Sequence, residues 1–257
     1  MRTQLNGYVV DDEFLWMYDW FEIPAFSPQN VRDALETAPE GEEMIFEINS
    51  NGGSVFAGFE IYSVLRNAKQ RTVAEIQSIA ASAASTIMLG CDEVQASPVA
   101  QVMIHLPMVT TDGNRYDHLE SVCVLDSLTE SILNAYTIKC GARSSRDELK
   151  RLMKTSTWMT APEAQGLGLV DKIVGAESID PSAIINCAGG VSHGIRALAA
   201  NPMPSPASLR QRYEALVAEG KAPARGEVPP EPEHDESALQ ASKARLELEK
   251  IRFLQEE

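Results

Sequence analysis

Paired cysteines are missing from this chain. Its four cysteines, Cys91, Cys123, Cys140 and Cys187, form no C-x-x-C and stand at no ligand spacing from a histidine, so neither a disulfide framework nor a thiolate metal site is expected. Reduced thiols in a cytoplasmic compartment follow as the expectation. Long apolar runs are absent too. No stretch approaches the ~18 residues of a membrane span, and the sequence opens on no basic-then-apolar signal. Basic residues are outnumbered, 22 Lys and Arg against 37 Asp and Glu, for a net charge of −15. That balance argues against nucleic acid and membrane as partners, since anionic surfaces of either kind require a basic protein face. No G-x-x-x-x-G-K-[ST] occurs, so the chain has no phosphate loop of its own. No internal repeat is visible.

What is present is an ordinary globular core composition, 44% hydrophobic over 257 residues, enough for one domain of about 190 residues with an appendage. Up to about residue 175, strand and helix patterns alternate, which predicts an α/β layered fold. Strands are expected at Tyr8–Val10, Met44–Ile48, Thr72–Ile79, Glu93–Ala96 and Ala100–His105. Helices are expected from Ser27-Pro28 to Leu35, from Val55 to Ala68, and from Ser82 onward. The longest helix should run from Asp117 to Lys139, carry Leu119, Val122, Leu125, Leu128, Ile132, Ala135 and Tyr136 on one stripe, and stop at Gly141. Ser145-Arg-Asp-Glu148 and Thr160-Ala-Pro-Glu163 read as capping boxes that open two short helices. Residues 201 to 232 hold seven of the 14 prolines, too many for a packed element. The expected division is a domain over residues 1–190, a mostly disordered linker over 191–236 with a short helix at Leu209–Ala218, and an amphipathic terminal helix over 237–257.

Two predicted strands end on reactive side chains. Thr72–Ile79 runs into the small residues Ala80-Ala-Ser-Ala-Ala84, so Ser82 sits at a strand-to-helix turn, where helix N–H groups stabilise developing negative charge. Gln101-Val-Met-Ile-His105 is stopped by Pro107 and leaves His105 at a strand end. Serine with histidine is the minimum for a base-activated nucleophile, although a lone histidine at a strand end is commonly structural. A third element joins them. Ile48-Asn-Ser-Asn-Gly-Gly-Ser54 is a strand running into a glycine-rich turn, whose backbone N–H at Gly53 is a natural oxyanion donor beside a nucleophilic serine. Taken by itself this stretch is an ordinary tight strand-to-helix turn. The remaining histidines, His118, His193 and His234, read as surface residues, and Asp171 in Leu169-Val-Asp171 reads as structural.

Asn49-Ser-Asn-Gly-Gly-Ser-Val-Phe-Ala-Gly58, Ala80-Ala-Ser-Ala-Ala84, Met103-Ile-His-Leu-Pro107 and Thr160-Ala-Pro-Glu-Ala164 with Gly168-Leu-Val-Asp171 resemble, in order and spacing, the signature blocks of ClpP-type serine peptidases. Val10-Asp-Asp-Glu13, Trp16 to Trp20, Ile79 to Ser85, Asn134-Ala-Tyr136 and Thr157-Trp-Met-Thr160 resemble the phage head-maturation branch more than the housekeeping one. The resemblance implies a ClpP/crotonase-like fold with a protruding handle helix, Ser82 as nucleophile, His105 as general base, and the N–H groups of Gly53 and Ala83 as oxyanion hole. It implies no cofactor or metal, a ring-like homo-oligomer, and capsid or scaffolding protein as substrate in an immature phage head in the host cytoplasm. One position departs from the pattern. The triad acid falls two residues before Trp158, where this chain has Ser156, a hydroxyl that can orient His105 but not stabilise its cation as a carboxylate does. Two alternatives follow: a catalytically weak, peptidase-fold assembly protein, and a housekeeping subunit acting with an AAA+ unfoldase.

Overall fold

The computed structural model describes residues 1–39, 41–175 and 204–222. Between Met1 and Ile173 the chain builds one eight-stranded sheet flanked by helices, the α/β architecture expected. Its backbone is a parallel run in the order β2 (Ala25–Phe26), β1 (Arg2–Val9), β3 (Met44–Gly53), β4 (Thr72–Ala81), β5 (Glu93–Ala96) and β8 (Lys172–Ile173). Parallel strands need crossovers, and helices supply them: α1 (Asp12–Trp20), α2 (Pro28–Thr37) and α3 (Val55–Arg66) separate the first four. Met44, Phe46 and Ile48 alternate along β3 and are fully buried, paired in register with Thr72, Ala74 and Ile76 of β4. With Leu5 and Ile61 they form the centre of the core.

β4 changes neighbour partway along. Val73–Ile76 pairs with β5, whereas Ile79–Ala81 pairs with β6 (Gln101–Ile104). Between these halves the buried alternation lapses at the exposed Gln77 and Ser78, where the strand leaves one partner for the other. β6 in turn pairs antiparallel with β7 (Thr157–Thr160). The fork sets the C-terminal ends of β4 and β6 side by side, Ala81 opposite Met103. Open parallel sheets place their ligand sites at such strand ends, where the strand order switches.

After β4 come the five-residue α4 (Ala83–Ile87) and a 3₁₀ turn, Met88–Gly90. α5 (Arg115–Cys140) is opened by an Asn114/Asp117 capping box and ends at Gly141, whose φ of +57° suits the one residue without a Cβ. At 26 residues it is about 39 Å long. Only its second half is packed: Thr129, Ile132, Leu133, Ala135 and Tyr136 are buried, whereas Leu119 and Val122 are exposed. The apolar stripe therefore continues beyond the core of the single chain. Both expected caps open helices: at α7 (Ala161–Leu167) Thr160 and Glu163 form the full capping box, whereas at α6 (Arg146–Lys154) Ser145 accepts from the Glu148 N–H as a simple N-cap. α8 (Pro206–Ala218) is a separate helix over the short one expected at Leu209–Ala218. The expected boundaries at 190 and 236, the disordered linker's remaining length, the terminal helix, Cys187, His193 and His234 lie outside the described residues. Cys91, Cys123 and Cys140 are free thiols.

Candidate functional site

Ser82 occupies the turn from β4 into α4 with φ +55° and ψ −125°, a conformation that costs a non-glycine residue about 1–3 kcal/mol and persists only where the surroundings enforce it. The enforcement is visible on both sides of the residue. Its N–H donates to the Met103 carbonyl at 2.9 Å, extending the β4–β6 pairing by one step. Its carbonyl accepts from the Ser85 N–H at 3.0 Å and from Ser85 Oγ at 2.5 Å. From the neighbouring strand, the end of β3 at Asn51–Gly53 presses against it. A Cβ placed on Gly52 would stand 2.7 Å from the Ala81 oxygen, 2.7 Å from Ser82 Cβ and 2.9 Å from the Ala83 nitrogen, and Gly52 also has φ +93°. A Cβ on Gly53 would fall 2.0 Å from the Val9 oxygen. The glycine pair is required by close backbone approach, so Gly52→Ala is expected to lower the melting temperature and to displace the Ser82 turn. Measuring thermal unfolding alongside reactivity of Ser82 checks this, and parental values for both would refute the packing argument.

His105 follows β6 and is half-buried. Its Nε2 lies 2.7 Å from Ser82 Oγ, a hydrogen-bonding distance. The two strand ends thus bring Ser82 and His105 side by side. Beside them opens a small cleft, continuous with solvent, whose walls are mainly apolar: Val55, Phe59, Pro107, Ile132 and Tyr136. Gly58 and Ala83 form part of the same wall, and the 3.2 Å between a Cβ on Gly58 and Ala83 Cβ leaves little room for a larger residue.

Ser156 stands in the tight turn between α6 and β7. The antiparallel β6–β7 ladder ends with Ile104 facing Thr157, so His105 and Ser156 are the residues that adjoin this last pair on the two segments. Ser156 is exposed, has φ +50°, donates its backbone N–H to Met153 at 3.1 Å, and its hydroxyl makes no hydrogen bond among the described residues. Asp171 belongs to a different cluster. It accepts from the Val94 N–H at 2.7 Å and pairs with Lys139 and Arg143, tying the end of α5 to β5. His118 is likewise remote in role, exposed on α5 and bonded to Thr111 at 2.7 Å.

Two of the three described thiols are buried, and Cys123 is exposed. Desolvation raises the Cys91 thiol to about 12 and the Cys140 thiol to about 11, so both stay protonated near neutral pH. Among the described residues no cluster of His, Cys, Asp or Glu is arranged to hold a metal ion. Ser85 and Tyr136 are the members of this region that sequence patterns did not single out for the site. They are 51 positions apart and joined by a 2.7 Å hydrogen bond; in the sequence Tyr136 stands in an apolar helical stripe and both residues fall in blocks that resemble the family, with no sign that they meet.

Comparison with known proteins covers the same region. Residues 33–177 match the sequence profile of the family described as Clp protease. The ATP-dependent Clp protease proteolytic subunit 1 of Chlamydia abortus is 30% identical over 144 residues, covering 54% of this chain and 74% of that protein. The subunit 1 of Salinibacter ruber is 26% identical over 163 residues, covering 62% of this chain and 68% of its own length. The ATP-dependent Clp protease proteolytic subunit of Porphyromonas gingivalis is 30% identical over 148 residues, 54% of this chain and 63% of that protein.

Proposed function

The chain belongs to the Clp protease family, and from that premise we propose that it is a serine endopeptidase with Ser82 as nucleophile and His105 as general base. The observation that carries the reading is the 2.7 Å approach of Nε2 to Oγ at two adjoining strand ends. His105 Nε2 takes the Ser82 hydroxyl proton as Oγ bonds to the scissile carbonyl carbon. The tetrahedral oxyanion is received by the N–H groups of Gly53 and Ala83, on the turn and helix start that close around Ser82. The imidazolium then gives its proton to the leaving amine. Water, deprotonated by the same nitrogen, releases the acyl group and restores Ser82. The apolar cleft beside Ser82 supports an uncharged side chain next to the cleaved bond.

The biological setting proposed is phage head maturation, with capsid or scaffolding protein as substrate and no cofactor. Its support is the wording at Val10–Glu13, Trp16–Trp20, Asn134–Tyr136 and Thr157–Thr160. A ring-like homo-oligomer is proposed as well, supported by Leu119 and Val122 on the first turns of α5, 49% and 52% exposed. No helix among the described residues is long and apolar enough to cross a membrane. The peptidase domain is proposed to end near residue 190, before a proline-rich linker and a terminal helix over 237–257, from composition alone. A second reading, a weakly active assembly protein on the same fold, is favoured by one observation, the serine at position 156.

Labelling with a fluorophosphonate followed by peptide mapping tests the chemistry directly. The adduct is expected on Ser82 and is expected to vanish in His105→Ala. An adduct on another serine, or none at all, would overturn the assignment.

A further inference from the structure

Ser85 and Tyr136 form a relay that ends on the peptide group between Ser82 and Ala83. Ser85 Oγ lies 2.5 Å from the Ser82 carbonyl oxygen and 2.7 Å from Tyr136 Oη. A carbonyl only accepts, so the single Ser85 hydroxyl proton goes to Ser82, and Tyr136 must donate to Ser85 Oγ. The direction of both protons is thereby fixed: Tyr136 to Ser85 to the Ser82 carbonyl. Both residues are buried, Tyr136 at 1% exposure and Ser85 at 0%, so water does not compete for these bonds. Burial also pushes the Tyr136 phenol up to about 12, which keeps it a donor.

The Ser82 carbonyl and the Ala83 N–H are two ends of one planar peptide group. Whatever grips the oxygen aims the hydrogen. Hydrogen bonds accepted by the oxygen also polarise the amide and strengthen the N–H as donor, a cooperative gain of ~10–30% per bond. We infer that Ser85, backed by Tyr136, is a positioning residue of the reaction, which orients and polarises the Ala83 N–H as oxyanion donor. The inference rests on the proposed role of Ala83 and adds to it the residues that make that role possible at a strained backbone. Neither side chain needs to touch substrate through its hydroxyl to do this.

The test is a double-substitution cycle read by fluorophosphonate kinetics, which separate the bond-forming rate constant kinact from the binding constant KI. Since deleting one oxyanion donor outright costs about 10²–10³-fold, Ser85→Ala is expected to lower kinact by about 10–100-fold and Tyr136→Phe by about 3–10-fold, with KI nearly unchanged in both. Ser85→Ala removes one of the two side-chain partners of the buried Tyr136 hydroxyl, leaving Thr86, and is expected to lower the melting temperature. Ser85→Ala combined with Tyr136→Phe removes both polar groups and is expected to regain much of that stability while kinact stays as low as in Ser85→Ala alone. Recovery of kinact together with stability would overturn the inference, reducing the pair to a packing role. So would parental kinact in Ser85→Ala. If the parent itself fails to label at Ser82, the proposed peptidase chemistry falls and this inference with it, an outcome separate from loss of the cycle's predicted pattern.

Discussion

Replacing Ser82 or His105 by alanine is expected to abolish peptide cleavage, by a factor on the order of 10⁴ or more wherever the parental rate allows so large a fall to be seen. The two losses should not add in Ser82→Ala/His105→Ala, because in the proposed mechanism one residue supplies the bonding oxygen and the other removes its proton in the same step. Subunit association should be unaffected, since Ser82 contributes nothing to the exposed part of α5. The backbone makes a finer discrimination available. At φ +55° and ψ −125° alanine is no better suited than serine, whereas glycine is at ease there. Ser82→Gly is therefore expected to be inactive and yet more resistant to unfolding than Ser82→Ala, with a difference of about 1 kcal/mol or more as the stored strain is released. Chemical denaturation of the two variants measures that difference. Full proteolysis by Ser82→Ala would remove this serine from the mechanism altogether.

How far these expectations were legible before the fold was known depends on the range of the interactions involved. Local signals read well. Ser27-Pro28, Ser145 and Thr160 each open a helix within a residue of the expected position, because a cap is decided by three or four neighbours. β3 and β4 were recognised by apolar content but continue to Gly53 and Ala81, since their last residues are held by pairing with adjacent strands. α1 was missed. Phe14, Leu15, Trp16, Met17 and Tyr18 are a contiguous apolar block without helical spacing, and only Met17 and Tyr18 are buried. β7 was missed for a similar reason, four residues whose strand character comes from lying beside β6. The long α5 stripe was correctly placed as a helix, but Leu119 and Val122 are not core positions of the single chain.

The site divides along the same line. Ser82, His105 and the glycine turn announce themselves through strand-to-turn transitions and through ordered blocks that resemble a family. Their 2.7 Å approach depends on β4 forking between β5 and β6, which no local pattern encodes. The pairing of Ser85 with Tyr136 is silent in the sequence, although both residues fall in blocks that resemble the family, because a relay 51 residues wide has no periodicity to betray it. Long-range polar pairing is the part of a site that only coordinates reveal.

Ser156→Asp is expected to raise turnover by an amount on the order of 10²-fold, because loss of the orienting carboxylate in a serine triad costs up to about 10⁴-fold. Three structural facts favour a gain over simple disruption. Residues 105 and 156 each adjoin Ile104–Thr157, the last pair of the β6–β7 ladder. Ser156 is exposed, and its hydroxyl holds no hydrogen bond among the described residues that the change would break. Its φ of +50° lies in the left-handed region, where aspartate is better tolerated than most residues. Ser156→Glu reaches further from the same backbone and tests whether distance or charge is limiting. The gain should appear in kcat with little change in KM, since a carboxylate beside His105 is worth most as positive charge develops on the imidazole during attack. Ser156→Asn separates orientation from charge: it can hold a hydrogen bond but cannot stabilise a cation, and should recover less than aspartate. Unchanged rates in both acidic variants would mean that position 156 does not serve His105. An inert parent rescued by Ser156→Asp or Ser156→Glu would instead identify the chain as it stands with the assembly-protein reading, a peptidase fold whose activity is withheld by one missing carboxylate.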